Sequence, residues 1–343
     1  MNGRTKLVIA AAAVFVVAVI VGALFALCDV PPADAPEVTA TVTDPVSDVT
    51  VGTSDDTTPA VTEDDDWGST VIWQGETWKL DRGLKTVALL GIDSRAAVEA
   101  SEIVGGGGRA DTILILVLDP GTRTMQLFQV SRDTIISVDV YNNDRELLFS
   151  GDMQINMQYA FGENAARSCY LMKKKISELL YGVYVDYCCS LTLDGMAKII
   201  NAMDGIRLTL PEDWTDIDPA YTAGATIRMD SSEVEHFVRY RDTDSLGSND
   251  DRMDRQSWFL RQLLAELRRR GGDSLMELLD AAGDDLNTDM DAETMKDLFD
   301  YTLNDAIVKL PGETRRGEYH DEYILDESSL RTLVLNTFYR KVE

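Results

Sequence analysis

Cysteine and histidine are scarce in this chain of 343 residues, which has four of the first and two of the second, His236 and His320. No CxxC pair occurs, which excludes a disulfide scaffold and a zinc ribbon. Neither histidine has a partner at ligand spacing, so a His-rich metal site and a His-based triad are both disfavoured. No GxSxG motif is present, which argues against an acyl hydrolase. The glycine run 105–108 is followed by neither Gly-Lys-Ser/Thr nor a helix, so it is not a phosphate-binding Walker A loop. Asp285, Asn287, Asp289 and Asp291 alternate like a calcium loop, but Met290 takes the glycine position and Lys296 the bidentate glutamate position. A calcium hand is therefore rejected. Positive charge is also in short supply: 32 Lys and Arg against 59 Asp and Glu leave a formal net charge of −27. That field repels a phosphate backbone, so no nucleic-acid partner is expected. The apolar fraction, 45%, is ordinary for a globular protein and rules out wholesale disorder.

The sequence does contain one long uncharged apolar run. Residues 7–27 carry no charge and as a helix would span roughly 30 Å, a bilayer core. Arg4 and Lys6 precede the run and Asp29, Asp34 and Glu37 follow it, which predicts a cytoplasmic tail at 1–6 and an extracellular remainder. The run exceeds the apolar region of a cleaved signal peptide, so a single-pass anchor in the cell membrane is expected. Residues 28–66 follow as an acidic flexible linker; its part from 29 to 66 holds eleven acidic residues and no basic one. From 67 to 343 the pattern is that of one folded extracellular body.

Within that body, Thr86–Ile92 and Thr112–Leu118 read as strands buried on both faces. Thr124–Ser131 follows a Pro120-Gly121 turn and is expected to pair antiparallel. Helices are expected at Ala165–Leu180, Leu193–Met203, Asp254–Arg270, Ala292–Leu303 and Glu327–Tyr339. Further strands are expected at Tyr184–Leu191 and Ile206–Leu210. Strands interspersed with helices predict an α/β class, an α-β-α sandwich around a mixed central sheet. Residues 272–343 are expected to complete that fold, since no linker-like stretch separates them. Cys169 lies before the adjacent Cys188 and Cys189; a 169–188 or 169–189 disulfide is open, with unpaired buried cysteines as the preferred reading.

Charged motifs stand at the strand ends. Asp93 and Arg95 follow the first strand, Arg109 and Asp111 open the second, and Arg132 and Asp133 close the third. A fourth cluster joins Arg239 and Arg241 with Arg252, Arg255 and Gln256. Residues i and i+2 of extended backbone share a face, and i, i+3 and i+4 of a helix do likewise. Guanidinium forks match phosphate oxygens, while carboxylates hold Mg²⁺ that bridges to diphosphate oxygens. Surface Asp–Arg ion pairs are the plain alternative for any one motif. Four clusters together point to a diphosphate site.

GIDSR, RADTILIL, VSRDT, INMQYAFG at 155–162, DGIRLTLP at 204–211 and VRYR…RMDRQ, in that order, resemble the LytR-CpsA-Psr family. The resemblance is strongest over residues 84–270. It implies a phosphotransferase that takes a glycopolymer, of teichoic acid or capsular polysaccharide type, from a polyprenyl-diphosphate carrier to peptidoglycan. Asp93 and Asp111 match the family's metal-associated carboxylates, with Mg²⁺ as the implied ion and Mn²⁺ as its alternative. Arg95, Arg109, Arg132, Arg239, Arg241, Arg252 and Arg255 match its phosphate-facing arginines, Gln256 its accompanying amide and Asp133 the aspartate beside the third arginine. Asn249 stands where the family often has an aspartate, a position that Asp250 or Asp251 would fill with a slip in register, and Ser131 stands where it often has a proline. Two other readings fit the same arginines: a polyprenyl-phosphate or wall-polymer binding protein without turnover, and a hydrolase of the lipid-linked saccharide. A transcriptional role is disfavoured by the expected extracellular body.

Overall fold

The computed structural model describes residues 69–94, 105–142, 144–240, 255, 258–259, 262–263, 265–266, 269–270, 272–298, 301–317 and 321–342. The expected anchor at 7–27 and linker at 28–66 lie outside them. Among the described residues no helix is long and apolar enough to cross a membrane.

In chain order the strands and helices are β1 Thr70–Trp73, β2 Glu76–Leu80, β3 Lys85–Ile92, β4 Ala110–Asp119, β5 Thr124–Val130, β6 Ile135–Tyr141 and β7 Leu147–Gln154. A 3-10 helix at Ile155–Phe161 leads to α1 Ala165–Leu179, β8 Tyr187–Thr192, α2 Leu193–Ala202, β9 Ile206–Thr209, β10 Thr226–Met229 and α3 Ser231–Arg239. There follow α4 Gly272–Ala282, β11 Leu286–Thr288, α5 Ala292–Asp297, β12 Thr302–Lys309, β13 Gly312–Arg316, β14 Asp321–Leu325, α6 Glu327–Phe338 and β15 Tyr339–Lys341. The described residues between 255 and 270 are helical, as expected.

Six strands form the central sheet in the order β11-β8-β3-β4-β5-β12. It is mixed: β3–β8 and β5–β12 are parallel, the other three pairings antiparallel. Apolar side chains alternate between its two faces because successive strand residues point opposite ways. Val87, Leu89, Leu114, Leu116, Met125 and Leu127 face one core, which α2, α3 and α4 cover. Ala88, Leu90, Ile113, Ile115, Phe128 and Val130 face the other, under α1 and α6. Burial on both faces is why β3 and β4 read as unbroken apolar runs. Side-chain caps start the helices: Asn164 on α1, Thr192 on α2, Asp230 with Glu233 in a reciprocal capping box on α3, and Asp326 on α6.

Two expectations shift. The helix expected at Ala292–Leu303 stops at Asp297, and Thr302–Lys309 instead pairs with β5 as an edge strand. The strand β8 begins three residues later than expected, at Tyr187. Residues 272–342 supply both edges of the central sheet, and β15 pairs with β2. Cys169, Cys188 and Cys189 are buried free thiols. The calcium-like alternation serves as staples: Asp285 accepts from the Thr192 hydroxyl at 2.9 Å and pairs with Lys198, while Asp289 accepts from the Cys188 backbone N–H at 2.7 Å and Lys173 at 2.7 Å.

Candidate active site at one end of the sheet

Three adjacent strands deliver charged residues to one end of the sheet. Because β4 runs antiparallel to β3 and β5, it begins where they finish. Asp93 follows the last residue of β3, Arg109 precedes the first of β4, and Ser131, Arg132 and Asp133 follow β5.

Asp111 owes its position to a register irregularity. Gly91 pairs with Thr112 and Ile92 with Ala110, so Asp111 is the extra residue of a bulge. A bulge re-aims a side chain and is common beside active sites. The buried Asp111 carboxylate takes the Arg132 guanidinium on Oδ2 at 2.8 Å and the Asn156 side-chain amide on Oδ1 at 3.0 Å. Arg132 Nε lies 3.5 Å from Asp133 Oδ1, which also accepts from Gln154 Nε2 at 2.6 Å. Arg132 thus bridges two carboxylates, and Gln154 and Asn156, at the junction of β7 and the 3-10 helix, hold each of them from below.

Asp93 is half-buried. Its backbone N–H donates to Arg109 O at 3.0 Å, and its Oδ1 accepts the Arg109 N–H at 2.6 Å. This reciprocal pair ties the end of β3 to the start of β4. Gly108 makes the approach achievable: it has φ +79°, and a Cβ there would sit 3.0 Å from Ile92 Cγ2 and 3.3 Å from Asp93 Oδ1. The neighbouring Gly107 donates to Ala160 O at 3.3 Å, so the described glycines pack onto the end of the 3-10 helix.

Burial dominates the electrostatics. It pushes the Asp111 carboxyl up to about 7, against the pull of Arg132 and with a further push from Asp93. It raises Asp93 as well, although the Arg109 N–H and the Arg109 and Arg132 charges oppose it. Two desolvated carboxylates, of which Asp93 further raises Asp111, lie beside a buried Asn156 Oδ1 with no hydrogen-bond partner and form a hard-oxygen set. That donor chemistry suits Mg²⁺, which characteristically takes one or two carboxylates and completes its shell with water and phosphate oxygens. The Arg109 side chain is exposed, and its charge acts on both carboxylates.

Of the residues expected from sequence, Asp93, Arg109, Asp111, Arg132 and Asp133 come together here. Arg239 and Arg255 form a second group at the C-terminal end of α3. Arg239 pairs with Glu235 one turn earlier, at 2.8 Å. Arg255, expected to face phosphate, is here engaged with the end of α3. It is buried, its Nε donates to Phe237 O at 2.9 Å, its Nη2 to Tyr240 O, and it stacks over both rings. Those bonds satisfy carbonyls at the end of α3. Arg95, Arg241, Arg252 and Gln256 lie outside the described residues, as do Asn249, Asp250 and Asp251. Asn156 and Gln154 were not singled out by the sequence, although Asn156 falls inside the INMQYAFG motif.

The chain is thus a mixed α/β/α sandwich with paired carboxylates and arginines gathered at strand ends. The LytR_cpsA_psr family model matches residues 51–335, and the chain belongs to that family. Similar curated proteins include the polyisoprenyl-teichoic acid–peptidoglycan teichoic acid transferase TagU of Halalkalibacterium halodurans, 23% identical over 215 residues, 62% of this chain and 63% of that one. TagU of Enterococcus faecalis is 25% identical over 216 residues, again 62% and 63%. The chain thus spans a little under two thirds of the length of these relatives. Among solved structures, Bacillus subtilis TagU superposes with a TM-score of 0.52 at 17% identity, covering 76% of this chain and 100% of that one. TagT bound to LI-WTA gives 0.52 at 17%, covering 75% and 90%. These likenesses establish a shared fold.

Proposed function

We propose that the protein is a phosphotransferase that moves a glycopolymer from a polyprenyl-diphosphate carrier to a hydroxyl of peptidoglycan. The observation that carries this reading is the Asp93–Asp111–Arg132 arrangement at the end of the sheet, two desolvated carboxylates with the Arg132 guanidinium bound to Asp111. The names of the relatives, teichoic acid transferases, support the same class of reaction.

In the proposed reaction the acceptor oxygen attacks the sugar-side phosphorus, a new P–O bond forms, and the bond to the bridging oxygen breaks. Polyprenyl phosphate leaves with that oxygen. Arg109, exposed and acting on both carboxylates, would meet phosphate oxygens; Arg132 orients Asp111 and Asp133. Asp93 is the better placed base, because both Asp111 oxygens already accept hydrogen bonds from Arg132 and Asn156. Asp93 and Asp111 would hold Mg²⁺, with Mn²⁺ as alternative, and such an ion would supply charge neutralisation on the diphosphate. The carrier's tail calls for an apolar groove near the helices after Ala165, and membrane attachment through 7–27 would keep enzyme and carrier together.

The test is transfer in vitro, with the full chain in detergent, a polyprenyl-diphosphate-linked saccharide and uncross-linked peptidoglycan. Attachment of saccharide to glycan that requires Mg²⁺ and falls about 10²-fold or more in Arg132→Ala is the expected result. Tight carrier binding without transfer would favour a binding protein instead. Release of free saccharide phosphate would favour a hydrolase.

A further inference from the structure

The hairpin β6–β7 carries a feature the active site does not use. Leu147, Leu148 and Phe149 are consecutive and 55%, 54% and 54% exposed. Strand side chains alternate, so three consecutive apolar residues open to solvent leave apolar surface on both faces of the strand. The patch continues sideways. Leu147 pairs across the hairpin with Tyr141, the Arg167 guanidinium lies over the Tyr141 ring at 5.3 Å and over the Tyr170 ring at 4.8 Å, and Tyr170 is 54% exposed. Exposed leucine and phenylalanine bordered by tyrosine and arginine is the composition of an interfacial membrane contact.

The hairpin is built to hold its position. Gln158, fully buried, accepts the Asp139 N–H at 2.8 Å and donates to Asp139 O at 2.9 Å, extending the ladder with a side-chain amide. Asp139 in turn accepts from Ser150 at 2.6 Å and from Lys174 and Lys175 of α1 at 3.1 and 3.0 Å. In the turn, Arg145 pairs with Glu163 at 2.7 Å, which ties the turn to the segment before α1.

We infer that this face, led by Leu147, Leu148 and Phe149, rests on the lipid bilayer. A protein groove would cover one face of the strand, whereas lipid accommodates both. The chain itself brings the bilayer close. The uncharged run 7–27 is joined to the folded body by residues 28–68, a length whose coil reach is on the order of 40 Å. This step rests on the membrane-anchor reading of 7–27. With β7, an edge strand of its two-stranded sheet, lying along the bilayer, the charged turn rests among headgroups while Leu147, Leu148 and Phe149 reach the acyl boundary on both faces. The base of the hairpin enters the site through Gln154 and Asn156. At about 3.3 Å per residue, the six steps from Leu148 to Gln154 place the Asp133–Arg132 bridge no more than roughly 20 Å from the lipid surface. A substrate class that must keep its apolar tail in the membrane while its polar head reacts is suited to that height.

The test uses the full chain reconstituted in phosphatidylcholine–phosphatidylglycerol vesicles, with Cys28→Ala as background and an environment-sensitive fluorophore on Leu148→Cys. A second sample carries the label on Glu313→Cys, in the exposed β13–β14 hairpin, and a third carries it on native Cys28. The label at 148 should shift to the blue and lose about half its emission to brominated acyl chains, as befits a depth of roughly 5–10 Å. The label at 313 should stay aqueous. An unquenched label at 148 overturns the inference, whether it remains in water or becomes dehydrated without quenching, the second outcome indicating a protein partner or a second copy. The label at Cys28 reports separately on the anchor, so a failed anchor is distinguished from a failed hairpin contact.

Discussion

Asp111 is the residue where function and stability oppose each other. Its carboxyl is raised to about 7 in the fold from 3.8, chiefly by desolvation. The folded state therefore holds a proton that the unfolded state has lost between pH 4 and 7, and stability falls as pH rises through that window. At about 1.4 kcal/mol per unit, the loss is on the order of 4 kcal/mol by pH 8 in the absence of a bound cation. Asp111→Asn removes the titrating group while keeping the shape. Its new amide can donate to the unpartnered Asn156 Oδ1 if the Asn156 amide turns over. Urea unfolding should show the variant more stable than the parent by about 1–3 kcal/mol at pH 8 and near parity at pH 4–5. Transfer activity should fall by about 10²-fold. A variant equally destabilised at both pH values would refute the electrostatic account. A second test at this scale concerns Gly108. Gly108→Ala imposes a positive φ on a residue with Cβ and crowds Ile92 and Asp93; a cost of about 1–2 kcal/mol and a displaced Asp93 are expected.

At the scale of elements, the strand-end positions of Asp93, Arg109, Arg132 and Asp133 were legible because each motif abuts an apolar run whose length marks a buried strand. The bulge at Asp111 was not, since it exists only relative to the pairing partner. The i, i+2 argument assumed an unbroken strand. The hairpin at 135–154 also escaped the sequence. β7 is exposed along most of its length, so LLFSGDMQ shows no period of two to read. Its stability comes instead from a polar clasp partway along it, at the Asp139–Ser150 pair. Burial pushes the Asp139 carboxyl up, but bonds from Ser150, Lys175 and Lys174 outweigh that and hold it at about 2. Folded Asp139 thus contributes stability that is complete above its unfolded value near pH 4 and is lost as pH falls toward 2. Asp139→Ala leaves the buried Lys175 with Glu178 alone and should cost about 2–4 kcal/mol at pH 7. Hydrogen exchange should show residues 135–154 opening before the central sheet. A cost under about 0.5 kcal/mol would show that the clasp is a surface ion pair of the ordinary weak kind.

For the whole molecule, the decisive pairings are the distant ones. The centre of the sheet comes from residues 85–130 and 187–192, but both edges come from residues 286–309, and the last strand returns to the first hairpin. Asp81 receives the Arg340 side chain at 2.6 Å, and its N–H donates to Phe338 O at 2.8 Å. Edge strands such as TLNDAIVK carry a weak signal because partner choice, not propensity, makes them strands. That is why the expected helix at 292–303 overran. A chain ending at Gly271 would lose β11, β12, α6 and β15 together. It would uncover the sheet face on which Leu330, Val334, Leu335 and Phe338 are buried. At roughly 2 kcal/mol for each of those side chains, the loss approaches the whole stability of an ordinary domain, about 5–15 kcal/mol. The truncated chain should therefore lose its near-ultraviolet circular dichroism and its sigmoidal urea transition, and should aggregate through two newly open strand edges. Cutting instead within the 318–320 connection by a specific protease, with both pieces retained, should leave the transition cooperative, because α6 and β15 stay docked through the contacts just named. A truncated chain that unfolds cooperatively would mean the C-terminal quarter is an appendage and the central sheet is self-sufficient.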